Sequence, residues 1–173
     1  MKSSRFFILL ALLAIVAAGT WYALSHRPGP AARTLTVYYT KIDGTTLGSL
    51  SVSLRPQQPG ESAAEHRRNV ALYAAVEAVA GPPSEVQAIR FPPGTRVLGV
   101  RVNGSTAIVD LSKEVESQAG GTFGENGEFK ALVYTLTGVR GIDAVQVTVG
   151  GETLPTLPGG HLELDTPLHR SDW

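Results

Sequence analysis

Side chains of metal-ligating type are concentrated near the end of the chain. Four of them lie within nine residues: His161, Glu163, Asp165 and His169. Imidazole and carboxylate groups are donors that zinc binds in proteins. In a strand, however, the alternation over residues 161–165 would place the polar groups on one face and two leucines on the other. The sequence therefore favours a polar strand face above buried leucines, and we predict no metal site.

Groups suited to acid–base chemistry are scattered along the chain. His66 lies among charged residues of a predicted helix and is interpreted as a solvated side chain. Asp110 ends a predicted strand, where Asp-Leu-Ser favours a carboxylate bonded to its own backbone over a general base. Glu114 and Glu116 would be the paired carboxylates of an envelope hydrolase, but a polar loop does not fix their separation. We predict no catalytic or cofactor-binding residue.

Residues 121–124 (GTFG) precede a predicted helix and resemble the GxxG loop with which KH domains hold a nucleic-acid backbone. The loop lacks a basic residue. From Thr34 onward the chain holds all 15 acidic residues and 11 of its 15 basic ones, a net charge of −4 with histidine neutral. An acidic surface binds neither nucleic acid nor anionic lipid, so we exclude both partners.

Turn and cap residues divide the chain into alternating hairpins and helices. Asn103-Gly104, between two β-branched runs, predicts a hairpin. Ser62 with Glu65 three residues later predicts the start of a helix. The predicted order is ββ-α-ββ-α-β(β), with strands at 35–40, 47–54, 97–102, 106–111 and 143–149, a weak strand at 152–154, and helices at 62–80 and 125–137.

This order predicts an α+β fold in which two helices pack on one face of a small, mostly antiparallel sheet. Apolar residues at helical or alternating spacing define the predicted core. The core residues are Leu72, Val76, Val79, Val100, Val109, Phe129, Leu132, Val133, Leu136 and Val147.

The N-terminal residues predict a membrane location. Residues 1–5 form a cationic head, and residues 6–24 are uncharged. As a helix the uncharged run would span about 28 Å, the thickness of a bilayer core. Lysine and arginine before the run hold the head in the cytoplasm and export the rest. A Pro/Gly linker at 25–33 then leads to a domain at 34–173.

Two interpretations of this run remain open. A cleaved signal peptide would have small residues before the cleavage point, as at 16–18 (VAA) and 23–25 (ALS), and would give a secreted domain. Trp21 and Tyr22 near the outer end of the run favour a retained single-pass anchor. The absence of cysteine excludes a lipid anchor, disulfides and cysteine-ligated zinc.

Several segments of the exported part resemble one known family. The segments are 75–82 (AVEAVAGP), 89–95 (IRFPPGT), 107–112 (AIVDLS), 132–137 (LVYTLT) with 141–145 (GIDAV), and 167–173 (PLHRSDW). Each is weak alone, but their order and gaps are specific. They resemble the GerMN domain of bacterial envelope and sporulation proteins.

The resemblance implies a non-enzymatic α/β module, related in shape to the ring-building motifs of envelope assemblies and often tethered to a membrane. A tandem-domain member in spore formers helps to build a complex between two membranes. This chain has one such domain and no lipid-attachment cysteine, so that sporulation role is not carried over.

We therefore expect a non-catalytic, membrane-tethered module that binds envelope protein subunits or copies of itself. An alternative is a cell-wall module that holds glycan or peptide, and so contacts peptidoglycan, in a groove beside residues 120–124. Aromatic residues would line such a groove, and Phe123 alone is available there.

Overall fold

The computed structural model of the chain describes residues 15–22, 33–117 and 121–173. The chain divides into two compact units, Met1–Ala32 and Arg33–Trp173. In the first unit, residues 15–22 are helical with exposed side chains. No helix within the described residues is both long and apolar enough to cross a membrane. The rest of the predicted span at 6–24, the head at 1–5 and the linker at 25–32 lie outside the described residues.

The second unit is an α+β domain, which confirms the predicted fold class. Its elements within the described residues are β1 (Thr34–Thr40), β2 (Leu47–Ser53), α1 (Ala63–Ala80), β3 (Val97–Asn103), β4 (Thr106–Leu111), α2 (Gly121–Leu136) and β5 (Ala144–Val149). Short 3-10 turns at Lys113–Glu116 and Arg170–Asp172 complete it. Helix α1 packs on β3 and β1, α2 packs on β1 and β5, and the two helices contact each other.

The predicted single sheet is wrong, because the described strands form two sheets. One is the antiparallel pair β1–β2, and the other has the order β3-β4-β5. The second edge of β1 meets helix α2, where the Tyr38 N–H donates to the Thr135 hydroxyl at 2.9 Å. The Thr135 side chain thus accepts a hydrogen bond from a backbone N–H that would otherwise pair with a third strand.

The three-stranded sheet is mixed rather than mostly antiparallel. Strands β3 and β4 form the predicted antiparallel hairpin, and Gly104 at its turn has φ +59°. Strand β5 lies parallel to β4, and the connection through α2 supplies the long crossover that a parallel pair needs. The weak strand predicted at 152–154 contributes a single bridge between Val149 and Glu152.

Helix α2 supplies the largest side chains of the core. Phe129, Leu132, Val133 and Leu136 are fully buried on one face of the helix. They belong to the same cluster as Val100, Val109 and Val147 of the three-stranded sheet. The centre of the domain is therefore the contact between α2 and the two sheets.

Helix α1 buries a different face from the one predicted. Leu72 and Val76, placed in the core from the sequence, are 38% and 44% exposed, so that prediction is wrong. Val79 is half-buried against the core. The buried stripe consists of Ala71, Ala74, Ala75 and Ala78. Alanine lets the helix approach its neighbours closely, which rotates the larger leucine and valine side chains away from the centre.

Candidate interaction surface

The outer face of α1 borders an apolar groove of about 610 Å³. Val70, Leu72, Tyr73 and Val76 line it from the helix, and Leu54 lines it from the segment after β2. Tyr73 is 37% exposed, close to the exposure of its two aliphatic neighbours. Contiguous apolar side chains that stay in contact with water are typical of an interaction surface.

The opposite wall of the groove is the segment that joins β2 to α1. After β2 ends, the Leu54 N–H donates to the Arg33 carbonyl at 2.7 Å, and Pro56 prevents the strand from continuing. The Glu61 N–H donates to the Gln58 carbonyl at 3.0 Å, which turns the chain towards the helix. These local bonds fix the course of the segment that forms the wall.

The start of α1 is fixed by the predicted capping box. The Ser62 hydroxyl accepts the Glu65 N–H at 3.2 Å, and the Glu65 carboxylate accepts the Ser62 N–H at 2.8 Å. At the other end, Gly81 has φ +72° and its N–H donates to the Glu77 carbonyl at 3.1 Å. The helix that presents the groove is therefore well defined at both ends.

One carboxylate at the groove is fully engaged by neighbours. Glu61 accepts hydrogen bonds from the Gln58 N–H at 2.9 Å and the Asn69 amide at 2.7 Å, and its Oε2 lies 3.1 Å from His66 Nδ1. The Gln58 bond, followed by Asn69 and His66, holds the pKa of Glu61 below its usual range. His66, interpreted from the sequence as solvated, is instead mostly covered and paired.

The chemistry of the groove suits binding better than catalysis. Burial and the adjacent Glu77 carboxylate raise the pKa of Tyr73, so its hydroxyl stays protonated at neutral pH. The Glu61 carboxylate is held as an anion by several donors and is a poor proton acceptor. An apolar floor with a few fixed polar groups at its rim fits an apolar side chain of a partner.

A second polar feature, missed in the sequence, lies at the start of α2. Glu125 and Glu128 are both buried, at 1% and 8% exposure. Glu125 Oε2 accepts the His161 N–H at 2.9 Å, whereas Oε1 has no partner among the described residues. Burial and then the Glu125 charge raise the pKa of Glu128 to about 7. The sequence contained a signal for this burial, because positions 125 and 128 lie on the same helix face as the core positions 129 and 132.

Glycine at position 160 makes room for this carboxylate. A side chain there would collide with both oxygens of Glu125. The contact and the His161 N–H bond fasten the segment around residue 160 onto the beginning of α2. We assign the pair a structural role. Glu125 binds the loop around residue 160 by a hydrogen bond, and Glu128 is buried beside it in a low-dielectric site.

The metal-ligating residues near the C-terminus are not brought together as a cluster. The described residues contain no group of three or more His, Asp or Glu side chains placed to hold a metal ion. Residues 161–165 do not form a strand, but their side chains alternate as expected, with Leu164 buried and Leu162 half-buried. His169 caps the last 3-10 turn, where its N–H donates to Asp172 at 2.7 Å.

The remaining sequence candidates have structural partners. Asp110 accepts the Thr148 hydroxyl at 3.0 Å and the Gly151 N–H at 2.7 Å, so it fixes the turn after β5 rather than its own loop. Glu114 lies in a 3-10 turn with Glu116, and its carboxylate is 3.4 Å from Arg96.

The GTFG segment at 121–124 belongs to helix α2, which begins four residues earlier than predicted. These four residues therefore form the first turn of the helix and not a loop before it. Phe123 is 56% exposed, and its ring lies against Gly44 in the turn between β1 and β2. Ile42, in the same turn, is 64% exposed.

The similarity to a known family lies within the domain at 33–173. The sequence matches the model of the Germane family, described as sporulation and spore germination, over residues 36–155. A crystal structure of a proposed lipoprotein from Clostridium perfringens matches with a TM-score of 0.56 at 18% identity. That match covers 82% of this chain and 89% of the other. No curated protein matches the chain in sequence.

Two structures of the sporulation protein GerM from Bacillus subtilis also match. Its tandem GerMN domains give a TM-score of 0.58 at 21% identity, covering 82% of this chain and 48% of that one. Its first GerMN domain gives 0.53 at 22% identity, covering 81% and 99%. This chain thus spans about half of the tandem structure. At these identities the likeness establishes the fold.

Proposed function

Because the chain belongs to the Germane family and its domain is of the GerMN type, we propose that it is a non-catalytic binding module of the bacterial cell envelope. It associates with a protein subunit of an envelope complex or with a copy of itself. The observation that carries this proposal is the groove on α1, where Leu72, Tyr73 and Val76 remain exposed beside a fully buried alanine stripe.

The residue types of the groove support protein binding. Aromatic and aliphatic side chains at the centre, with charged groups at the rim, are the usual composition of a protein interface. Tyrosine is also enriched among the residues that dominate binding energy. Without a partner, Leu72, Tyr73 and Val76 leave an apolar surface in contact with water.

The location in the envelope is part of the proposal. The uncharged run at 6–24 follows two basic residues and is long enough to act as a single-pass anchor with the domain outside the cytoplasm. An anchor of this kind would hold copies in one plane. Tethering raises the effective concentration to about the millimolar range, so a weak contact becomes sufficient.

The test is cross-linking of the full chain in bacterial membranes with an amine-reactive reagent. Val76→Asp places a charge in the centre of the groove, and Leu98→Asp is the matched control, because Leu98 is 54% exposed on β3. Loss of an interface anchor typically costs about 2 kcal/mol or more, or roughly 30-fold in affinity. We expect the V76D variant to lose its cross-linked products and the L98D variant to keep them.

A parallel arm measures co-sedimentation of the same variants with insoluble cell-wall fragments. Equal cross-linking by the V76D and L98D variants would refute the α1 groove as the binding surface. Binding to wall fragments that depends on Val76, without any protein cross-link, would replace the proposal by the cell-wall alternative.

A further inference from the structure

The outer edge of β2 is an open strand edge. Where the β1–β2 pair ends, the Leu54 N–H donates to the Arg33 carbonyl at 2.7 Å, which marks a hydrogen-bonded pair. Hydrogen-bonded and non-hydrogen-bonded pairs alternate along antiparallel strands, so each odd-numbered residue of β2 points its N–H and C=O away from β1. Ser49, Ser51 and Ser53 have this orientation and are exposed. Within the described residues, their N–H and C=O groups have no hydrogen-bond partner, so they are available to another strand.

The other sheet edges are covered or interrupted. Along β1, the Thr135 hydroxyl of α2 accepts a backbone N–H. Along β5, Leu168 forms an antiparallel bridge. Edge strand β3 has a register shift between Val97 and Gly99, and its Arg101 side chain is exposed. Covering segments, bulges and charges of this kind prevent a foreign strand from pairing with an edge.

Strand β2 has none of these protecting features. Over its full described length, 47–53 (LGSLSVS), it contains no charged residue and no proline, and its pairing with β1 is unbroken. Leu50 and Val52 lie on the face that turns towards the helices, and Val52 packs against the core. Both side chains are nevertheless only half-buried. The edge therefore leaves apolar surface beside it that an added strand would cover.

The open edge leads directly into the groove on α1. Ser53 is the last residue of the edge and also lines the groove, opposite Tyr73 and Val76 of the helix. Side chains alternate along a strand, so a strand added here would direct every second side chain towards the helix side. Arg55 and Glu61 at the groove carry opposite charges, and β2 is uncharged. The charges of the edge and the groove together match an uncharged segment with an apolar side chain.

We propose that an extended segment of a different envelope protein adds to β2 as a third strand and inserts one apolar side chain into the groove on α1. This inference rests on the proposed function, because it gives the occupant of the same groove a conformation and a chemistry. The segment is uncharged, has apolar residues at alternate positions and is no longer than the seven residues of β2. Backbone hydrogen bonds to the edge provide affinity, and the groove selects the side chain. A second copy fits poorly, because Leu50 and Val52 of its own open strand already face its own helices.

A proline substitution on the edge tests strand addition. Ser51→Pro removes an outward N–H and places a ring in the path of the added strand, while the hydrogen bonds between β2 and β1 are kept. Thr36→Pro is the matched control, because Thr36 pairs with Ser51 and points its N–H to the opposite edge. Occupancy of the groove is measured with p-benzoylphenylalanine at position 73 of the full-length chain, irradiated in membranes of the natural host. We expect S51P to lower the yield of the protein adduct by about tenfold or more and T36P to change it by less than about twofold.

Equal adduct yields from the S51P and T36P variants would overturn the inference. Melting of each purified full-length variant, followed by circular dichroism, checks that the fold is kept. If S51P melts well below T36P, Ser49→Pro replaces it, because Ser49 has the same orientation on the edge.

Mass spectrometry of the position-73 adduct gives a second test that needs no proline variant. The cross-linked peptide should come from a different protein and carry apolar residues at positions i and i+2, the period of a strand. A peptide of this same chain would overturn the inference, as would apolar residues at i, i+3 and i+4, the period of a helix.

Comparison with Val76→Asp separates this inference from the proposed function. If V76D loses its envelope cross-links and S51P keeps them, the groove binds a protein without strand addition, and only the inference is wrong. If neither variant loses cross-links, both the inference and the proposed function fail. Loss in S51P alone would show an edge that binds without the groove, which contradicts both.

Discussion

Replacing Glu128 by glutamine should change how the stability of the domain depends on pH. The carboxyl group is buried beside Glu125, and its pKa is raised from 4.5 to about 7. Between these two values the folded chain binds a proton that the unfolded chain has released. Stability is therefore fully present below about pH 4.5 and is lost as the pH rises through 7.

The size of the effect follows from the difference between the two pKa values. One pKa unit corresponds to about 1.4 kcal/mol, so the unfolding free energy should fall by about 2–3 kcal/mol between pH 5 and pH 8. Other carboxylates act at lower pH. Those whose pKa values are lowered are Asp43, Glu61, Glu65 and Glu114. Their stabilising contribution is lost only as the pH falls below about 4.5, outside this window.

Urea unfolding of residues 33–173 at several pH values measures the effect. Trp173 is the only tryptophan in that unit and packs against the core, so its fluorescence reports unfolding. The Glu128→Gln variant should show a nearly flat profile and exceed the parent by about 2–3 kcal/mol at pH 8. Glu152→Gln, at an exposed glutamate, is the matched control and should keep the parental slope. A parent whose stability is constant or increases from pH 5 to pH 8 would refute the reasoning.

Three further predictions concern the core, the face of α1 and the N-terminus. Leu136→Ala should lower the unfolding free energy by about 2–5 kcal/mol in urea, because the side chain is fully buried; a melting temperature within a degree or two of the parent would contradict this. Ala74→Leu should lower the unfolding free energy by about 1–3 kcal/mol, because it overpacks the buried face, whereas Leu72→Ala should lower it by less. The reverse order would show that α1 buries its other face. The full chain should remain with membranes through a carbonate wash if residues 6–24 form a retained anchor, whereas a soluble product beginning near Gly19 or His26 would show cleavage.

Local signals in the sequence predicted several parts of the fold. Asn103-Gly104 defined a hairpin, and Ser62 with Glu65 defined the start of α1, because both depend on neighbouring residues alone. The apolar face of α2 was also predictable, since Phe129, Leu132 and Leu136 are large and share one stripe. The family match confirms the resemblance to GerMN domains.

The face of α1 could not be chosen from spacing. Positions 71, 74, 75 and 78 fit a helical stripe, and so do positions 72, 76 and 79. Hydrophobicity favoured the second stripe, but close packing selected the alanines of the first. Compared with the prediction, helix α1 is rotated by one residue position about its axis. This rotation places Leu72 and Val76 outside the core, where they line the groove.

The division into two sheets and the groove depend on contacts between distant residues. Tyr38 and Thr135 are 97 positions apart, and their hydrogen bond ends the sheet at β1. The wall of the groove is formed by residues 53–61 crossing towards α1, which no local pattern encodes. Glu125 and Glu128 were identifiable as charges on an apolar stripe, but their burial depends on the segment around Gly160.

Photo-cross-linking from inside the groove tests most directly whether the α1 groove is the binding surface. Tyr73 is replaced by p-benzoylphenylalanine in the full-length chain, and Leu98 is replaced in the same way as the control. After irradiation of intact membranes, we predict a discrete protein adduct from position 73 and none from position 98. Equal adducts from both positions would contradict the account. The absence of an adduct from position 73, in membranes where the chain is associated with a protein partner, would also contradict it.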